Sequence, residues 1–138
     1  MKLLRVGLAT VAAVALLAAA SGPVGLPTGA GLWDISDNAA GTHSQRVCLA
    51  DPMLLAQWEH RGAACTRVVI SEHESEAAVQ YTCVGGGFGR SDLTMLTPRS
   101  LRIETQGISD GSPFNYVLHA RRVGECPHAL RKGLPKRA

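Results

Sequence analysis

The chain has no apolar run long enough to cross a membrane as a helix. Its longest, Val6 to Leu17, is broken only by Gly7 and Thr10 and is shorter than the ~18 residues a spanning helix needs. No cysteine follows "LAAASG" and no twin arginine precedes it, so neither a lipid-anchored form nor twin-arginine export is expected. Aromatic residues are scarce, with two Trp, two Tyr and two Phe among 138 residues; Trp33 and Trp58 read as core residues rather than ligand platforms. A basic face on the body of the chain is also missing. Residues 21–120 carry 6 basic and 10 acidic side chains, net −4, whereas residues 121–138 carry 6 basic and one acidic, net +5. Nucleic-acid binding needs a basic face on the fold itself, so no nucleic-acid partner is expected. There is no internal repeat and no second domain.

What is present begins with an export signal. Met1-Lys2-Leu3-Leu4-Arg5 is a short positive region, the apolar run follows, and Ala18-Ala19-Ala20 supplies small residues before Ser21; together they predict a secretory signal peptide over 1–20, cleaved after Ala20, with an uncleaved membrane anchor as the alternative. The mature chain then holds 12 Lys and Arg against 11 Asp and Glu, net +1. "SGPVGLPTGAG" reads as a flexible leader over 21–30, followed by a single domain over 31–127 and a basic tail over 128–138. The expected location is periplasmic or secreted.

Within the domain, "LWDIS" and "THSQRVCL" are the first two strand patterns. A helix of about ten residues follows: Asp51 can cap it, Pro52 suits its first position, Leu54, Leu55 and Trp58 share a face, and Gly62 can end it. From Thr66 the apolar period becomes two. "TRVVISE", "EAAVQYTCV", "RSDLTMLT", "LRIETQ" and "FNYVLHARR" are five further strands, with Val79, Tyr81 and Cys83, then Leu101, Ile103 and Thr105, then Phe114, Tyr116, Leu118 and Ala120 each on one face. The links are short, so neighbours should pair antiparallel. The expected fold is mainly β: a meander of about seven strands curled into a half-open or closed barrel-like sheet, with one short inserted helix.

The four cysteines, Cys48, Cys65, Cys83 and Cys126, are expected to form two disulfides in an oxidising compartment. Their spacing lacks the close pairs that zinc favours, and no metal is expected. Three connectivities are open. Cys48–Cys65 with Cys83–Cys126 is the expected one, because a bridge directly across neighbouring strands fits disulfide geometry less comfortably. Cys65–Cys83 with Cys48–Cys126 is the serious alternative, reached if the hairpin turns at Glu74. In either case Cys126 is a staple for a terminus with nothing after it to hold it.

"GLW" (Gly31, Leu32, Trp33), "VCL" around Cys48, then Cys65, Cys83 and the closing "RRVGECP" with Arg121, Arg122 and Gly124 stand in an order that resembles the small exported bacterial proteins of domain-of-unknown-function family 3617. The resemblance spans Gly31 to Pro127. It implies a periplasmic or secreted protein with no assigned activity, and it brings no catalytic residues with it.

Other patterns point to chemistry only weakly. "GISDG" (107–111) matches G-x-S-x-G, and a hydrolase would use Ser109 with His119 and Asp110; no helix follows it, and Gly, Ser and Asp are ordinary hairpin residues. "GGGFG" (85–89) lacks the lysine and the following helix of a phosphate loop. His43, His60, His73, His119 and His128 have no ligand spacing and read as surface residues. The tail "ALRKGLPKRA" could make peripheral contact with an anionic membrane. Three functions therefore stand in order: a non-enzymatic envelope protein binding a small ligand or peptide in its curled sheet, without a cofactor; an envelope accessory protein docking a protein partner through a sheet edge; and a small serine hydrolase using Ser109.

Overall fold

In a computed structural model the described residues are 26–128. The signal peptide expected over 1–20, the first half of the leader and the tail beyond His128 lie outside them. Seven strands form one antiparallel sheet: β1 (Gly31–Ser36), β2 (Gln45–Leu49), β3 (Cys65–His73), β4 (Glu76–Cys83), β5 (Phe88–Thr97), β6 (Ser100–Ser109) and β7 (Ser112–Gly124), in the spatial order β2-β1-β7-β6-β5-β4-β3. β3 to β7 are a meander, and β1 pairs with β7 on one side and β2 on the other. A closed meander barrel would also pair β2 with β3. Here those two strands are the free edges, and the sheet is half-open at that seam. The chain passes from one edge to the other through a short 3-10 helix, Pro52–His60.

The helix forms where its signals stand. Asp51 accepts a hydrogen bond from the Met53 amide at 2.9 Å and Pro52 occupies the first turn. Pro52, Leu55 and Trp58 are three residues apart and all buried, as the three-residue turn of a 3-10 helix requires. This apolar ridge covers the concave face of the sheet. There it meets Trp33, Ile35, Val79, Leu93, Leu101, Ile103 and Leu118, the inward positions of the alternating strands. Ser91, fully buried, ties helix to sheet: its Oγ donates to the Ala56 carbonyl at 2.5 Å and lies 2.7 Å from Thr105 Oγ1. The leader's Leu26 also packs against this core.

The turns follow their residues. Asp110 and Gly111, both with positive φ (49° and 76°), form the two-residue β6–β7 turn, the backbone that Asp-Gly favours in a hairpin. Pro98 and Arg99 join β5 to β6. "GGG" closes the β4–β5 hairpin with positive φ at Gly85 and Gly86.

The cysteine pairing differs from the expected one. Cys65 bonds Cys83 and Cys48 bonds Cys126. The reason is register. The β3–β4 hairpin sets Cys65 directly opposite Cys83. The Val84 amide bonds the Ala64 carbonyl one residue beyond, so the cysteines occupy a non-hydrogen-bonded position, where facing side chains come closest. The objection to a cross-strand bridge therefore fails at this position. Leu32 on β1 pairs with Cys48 on β2 and with Gly124 on β7, and Cys126 comes two residues after Gly124. The Cys48 and Cys126 Cα atoms are 5.5 Å apart, so this bridge ties the chain just past β7 to β2 and fixes the end of β7.

Candidate functional site

The residues of the GLW and Arg-Arg-x-Gly-x-Cys motifs converge on one corner. Trp33 is fully buried and pairs with Arg122, while Leu32 pairs with Gly124. The Arg122 side chain crosses over Gly31, where a Cβ would stand 2.6 Å from its Nε, and then donates to the Ala30 carbonyl and to Glu125. With Cys48–Cys126 beside it, this corner is a clasp that fastens the last strand to the first. Arg121 lies on the outer face, near the bidentate pair in which Arg46 donates to Asp34 at 2.7 and 2.9 Å. That pair holds the Asp34 carboxyl below its ordinary range.

Ser109 is at the tip of the β6–β7 hairpin, opposite Ser112, whereas His119 pairs with Arg102. Seven residues of strand separate the two levels, about 24 Å, so no Ser-His pair forms. Among the described residues no three of His, Cys, Asp and Glu come together as a metal-sized group.

One histidine does enter a polar cluster, which sequence reasoning missed. His60, at the end of the helix, places Nδ1 3.0 Å from Tyr81 Oη, and the Tyr116 hydroxyl donates to Glu59 at 3.0 Å. The Phe114 ring packs against both His60 and Tyr116. Burial, helped by the Glu59 charge, pushes the Tyr81 phenol up to about 12. Burial and the Glu59 hydrogen bond push Tyr116 higher still. Both phenols are thus held neutral, and the cluster latches the helix to β4 and β7. The signal was available: Tyr81 and Tyr116 fall on the inward face of their strands, and a buried phenol seeks a partner.

A wide hollow lies on the opposite, outer face. Four strands bring Gln80, Arg90, Gln106 and Asn115 into one row. Two residues along, Phe88, Ile108 and Pro113 form a second row. Between the rows run Gly89 and Gly107. The result is an open trough of about 690 Å³, with one amide-rich wall and one apolar wall. It crosses the strands for about 14 Å. Arg90 is 3.2 Å from Asp92 and adds a cation to the polar wall. Phe88 is 47% exposed, a large apolar surface for so aromatic-poor a chain.

Gly89 and Gly107 leave no room for a side chain on the inner face. A Cβ on Gly89 would stand 2.6 Å from Tyr81 Oη, and one on Gly107 2.6 Å from Gly89 Cα and 2.9 Å from the Phe114 ring. Without side chains there, the Tyr81 and Phe114 side chains come close against β5 and β6. Comparison with protein-family models, curated proteins and solved structures gives no match to this chain.

Proposed function

We propose that the protein is an exported, non-enzymatic binding protein whose outer trough takes a short peptide or a small molecule with one apolar side. The observation that carries this reading is the pairing of the Phe88–Ile108–Pro113 wall with the amide wall of Gln80, Gln106 and Asn115. An extended peptide presents amides along its backbone and an apolar side chain every second residue, which suits two such walls. The volume falls within the ~300–1,000 Å³ of ordinary ligand sites. The concave face is filled by Leu55, Trp58 and their neighbours, so the ligand's place is outside the curl rather than within it.

Periplasmic or secreted location, reached through a cleaved signal peptide, belongs to the same proposal. Two formed disulfides support it, as such bridges persist in oxidising compartments. The clasp of Gly31, Trp33, Arg122 and Cys48–Cys126 supports placement in family 3617, because it gives the motif residues one shared structural task.

The test is native mass spectrometry of protein released gently from the periplasm. It is followed by calorimetry with tri- and tetrapeptides carrying one aromatic or aliphatic side chain. Phe88→Ala combined with Ile108→Ala should weaken binding at least about tenfold, the effect of losing ~1.4 kcal/mol of apolar contact. A chain that carries no passenger and binds none of the peptides below millimolar concentration would sink the proposal.

A further inference from the structure

The long free edge of the sheet is matched to a second copy of itself. β3 has nine residues, and all but Cys65 are exposed. Val68, Val69 and Ile70 are 59%, 49% and 48% exposed. Edge strands are commonly blunted by being short, by Pro, by charged side chains or by a bulge, and on β3 the last two, Arg67, Glu72 and the bulge, restrict which strand can pair with it. β2, the other edge, has five residues; β3 is long and has neither Lys nor Pro. Its end is also pinned to β4 by Cys65–Cys83, so the edge is held as a template.

A β-bulge decides what this template fits. The register passes from Val69↔Val79 to Ser71↔Ala78, leaving Ile70 as the extra residue. Arg67 faces Tyr81, Val69 faces Val79 and Glu72 faces Ala77, three buried partners, so Arg67, Val69 and Glu72 all project to the inner face. In an unbulged strand, positions five apart would project to opposite faces. The hydrogen-bond alternation that begins at Val84 N–H and the Ala64 carbonyl turns the backbone groups of Arg67 and Glu72 alike toward the free edge.

We propose that two copies of the chain pair their β3 strands antiparallel about a two-fold axis at the Val69–Ile70 peptide, joining the two sheets into one. Arg67 of each copy then stands opposite Glu72 of the other, on the same face, with opposite charges. That pair exchanges both of its backbone hydrogen bonds on either side of the axis, about four bonds in all. Val68 meets Ser71 on the outer face, and the half-exposed Val69 and Ile70 of both copies come together at the axis. The contact is isologous, so it closes at a dimer and does not propagate. The residues of the trough lie on β4 to β7, outside the seam.

Sedimentation velocity on the full mature chain, from about 1 to 300 µM, tests this. The expected result is a monomer–dimer equilibrium. Glu72→Arg sets like charges opposite each other at both ends of the seam and should weaken the dimer at least about tenfold. Arg67→Glu should do the same. An equimolar mixture of the two single variants should recover association as a heterodimer, because each seam pair is again opposite in charge. Arg67 also bonds Gln57 in the helix, so the melting temperature of each variant is measured alongside, and the double variant provides a second recovery. A monomer throughout the range, or a dimer unmoved by Glu72→Arg, would overturn the proposal. So would failure of the mixture to recover when both variants melt like the parent.

Discussion

Gly107 and Gly89 face each other across β6 and β5 so closely that a Cβ on Gly107 would stand 2.6 Å from Gly89 Cα. It would also collide with the Phe88 carbonyl. The obstruction is main chain, so no side chain can swing aside to relieve it. Gly107→Ala should cost about 3 kcal/mol, the upper part of the range for overpacking. Gly124 is the control: it lies at the end of β7 with nothing within 4 Å of its Cβ position and without a positive φ. Gly124→Ala should be neutral or stabilise by a few tenths of a kcal/mol, up to ~1. Urea denaturation of the two variants separates a packing requirement from a general cost of replacing glycine.

The disulfides should be unequal in worth. Cys48–Cys126 joins residues 78 apart in sequence and Cys65–Cys83 residues 18 apart. Loop closure predicts upper values of about 4.5 and about 3 kcal/mol. Cys48→Ser with Cys126→Ser should therefore lower the denaturation midpoint more than Cys65→Ser with Cys83→Ser. The pairing itself is read by tryptic mapping without reduction. It should link peptide 47–61 to 123–131 and peptide 62–67 to 68–90. Linkage of 47–61 to 62–67 would mean the other connectivity.

The inward faces of β4, β6 and β7 were legible because each strand alternates on its own: Val79, Tyr81 and Cys83 are buried without reference to any neighbour. So was the cap of Asp51 and Pro52, which is local. Features that depend on register were not legible. The bulge at Ile70 follows from no residue pattern in "TRVVISE", yet it sets which side chains share a face along β3. Nor did the sequence show that β2 and β3 would separate. A link of fifteen residues can join paired neighbours as well as opposite edges; burial of Leu55 and Trp58 in the concave face decides for the second. The trough depends on four registers at once. No single strand announces Gln80, Arg90, Gln106 and Asn115 as one row.

The hairpin at "GISDG" separates the serine from its turn. Ser109 sits on the rim of a two-residue turn and makes no triad, so Ser109→Ala should change stability by less than about 0.5 kcal/mol. It should also leave unchanged any hydrolysis of generic ester substrates above background. Gly111→Ala puts a side chain on a residue with φ 76° and should cost roughly 1 kcal/mol. Thermal melts of the two variants, run together, test whether the stretch is kept for its backbone. An esterase activity lost only in Ser109→Ala would contradict this.

Alkaline titration gives the most direct reading of the latch, because the chain has only two tyrosines and both belong to it. An exposed phenol ionises near ~10. Tyr81 is raised to about 12, first by burial and then by Glu59, and Tyr116 is raised further, first by burial and then by its hydrogen bond to Glu59. In the window from ~10 upward the folded chain therefore keeps protons that the unfolded chain has released. Stability must fall as pH rises through that window, and below it the contribution is fully present. Phenolate absorbance near 295 nm should stay flat past pH ~10 and rise only near 12 or together with unfolding followed by circular dichroism. In urea, the same absorbance should rise near ~10. Tyr116→Phe removes the donor to Glu59 and leaves that carboxylate facing apolar rings. It should lower the melting temperature at neutral pH and make the fall above pH ~10 shallower. A native chain whose two phenols both ionise near ~10 would mean that the helix does not close over β4 and β7 in solution.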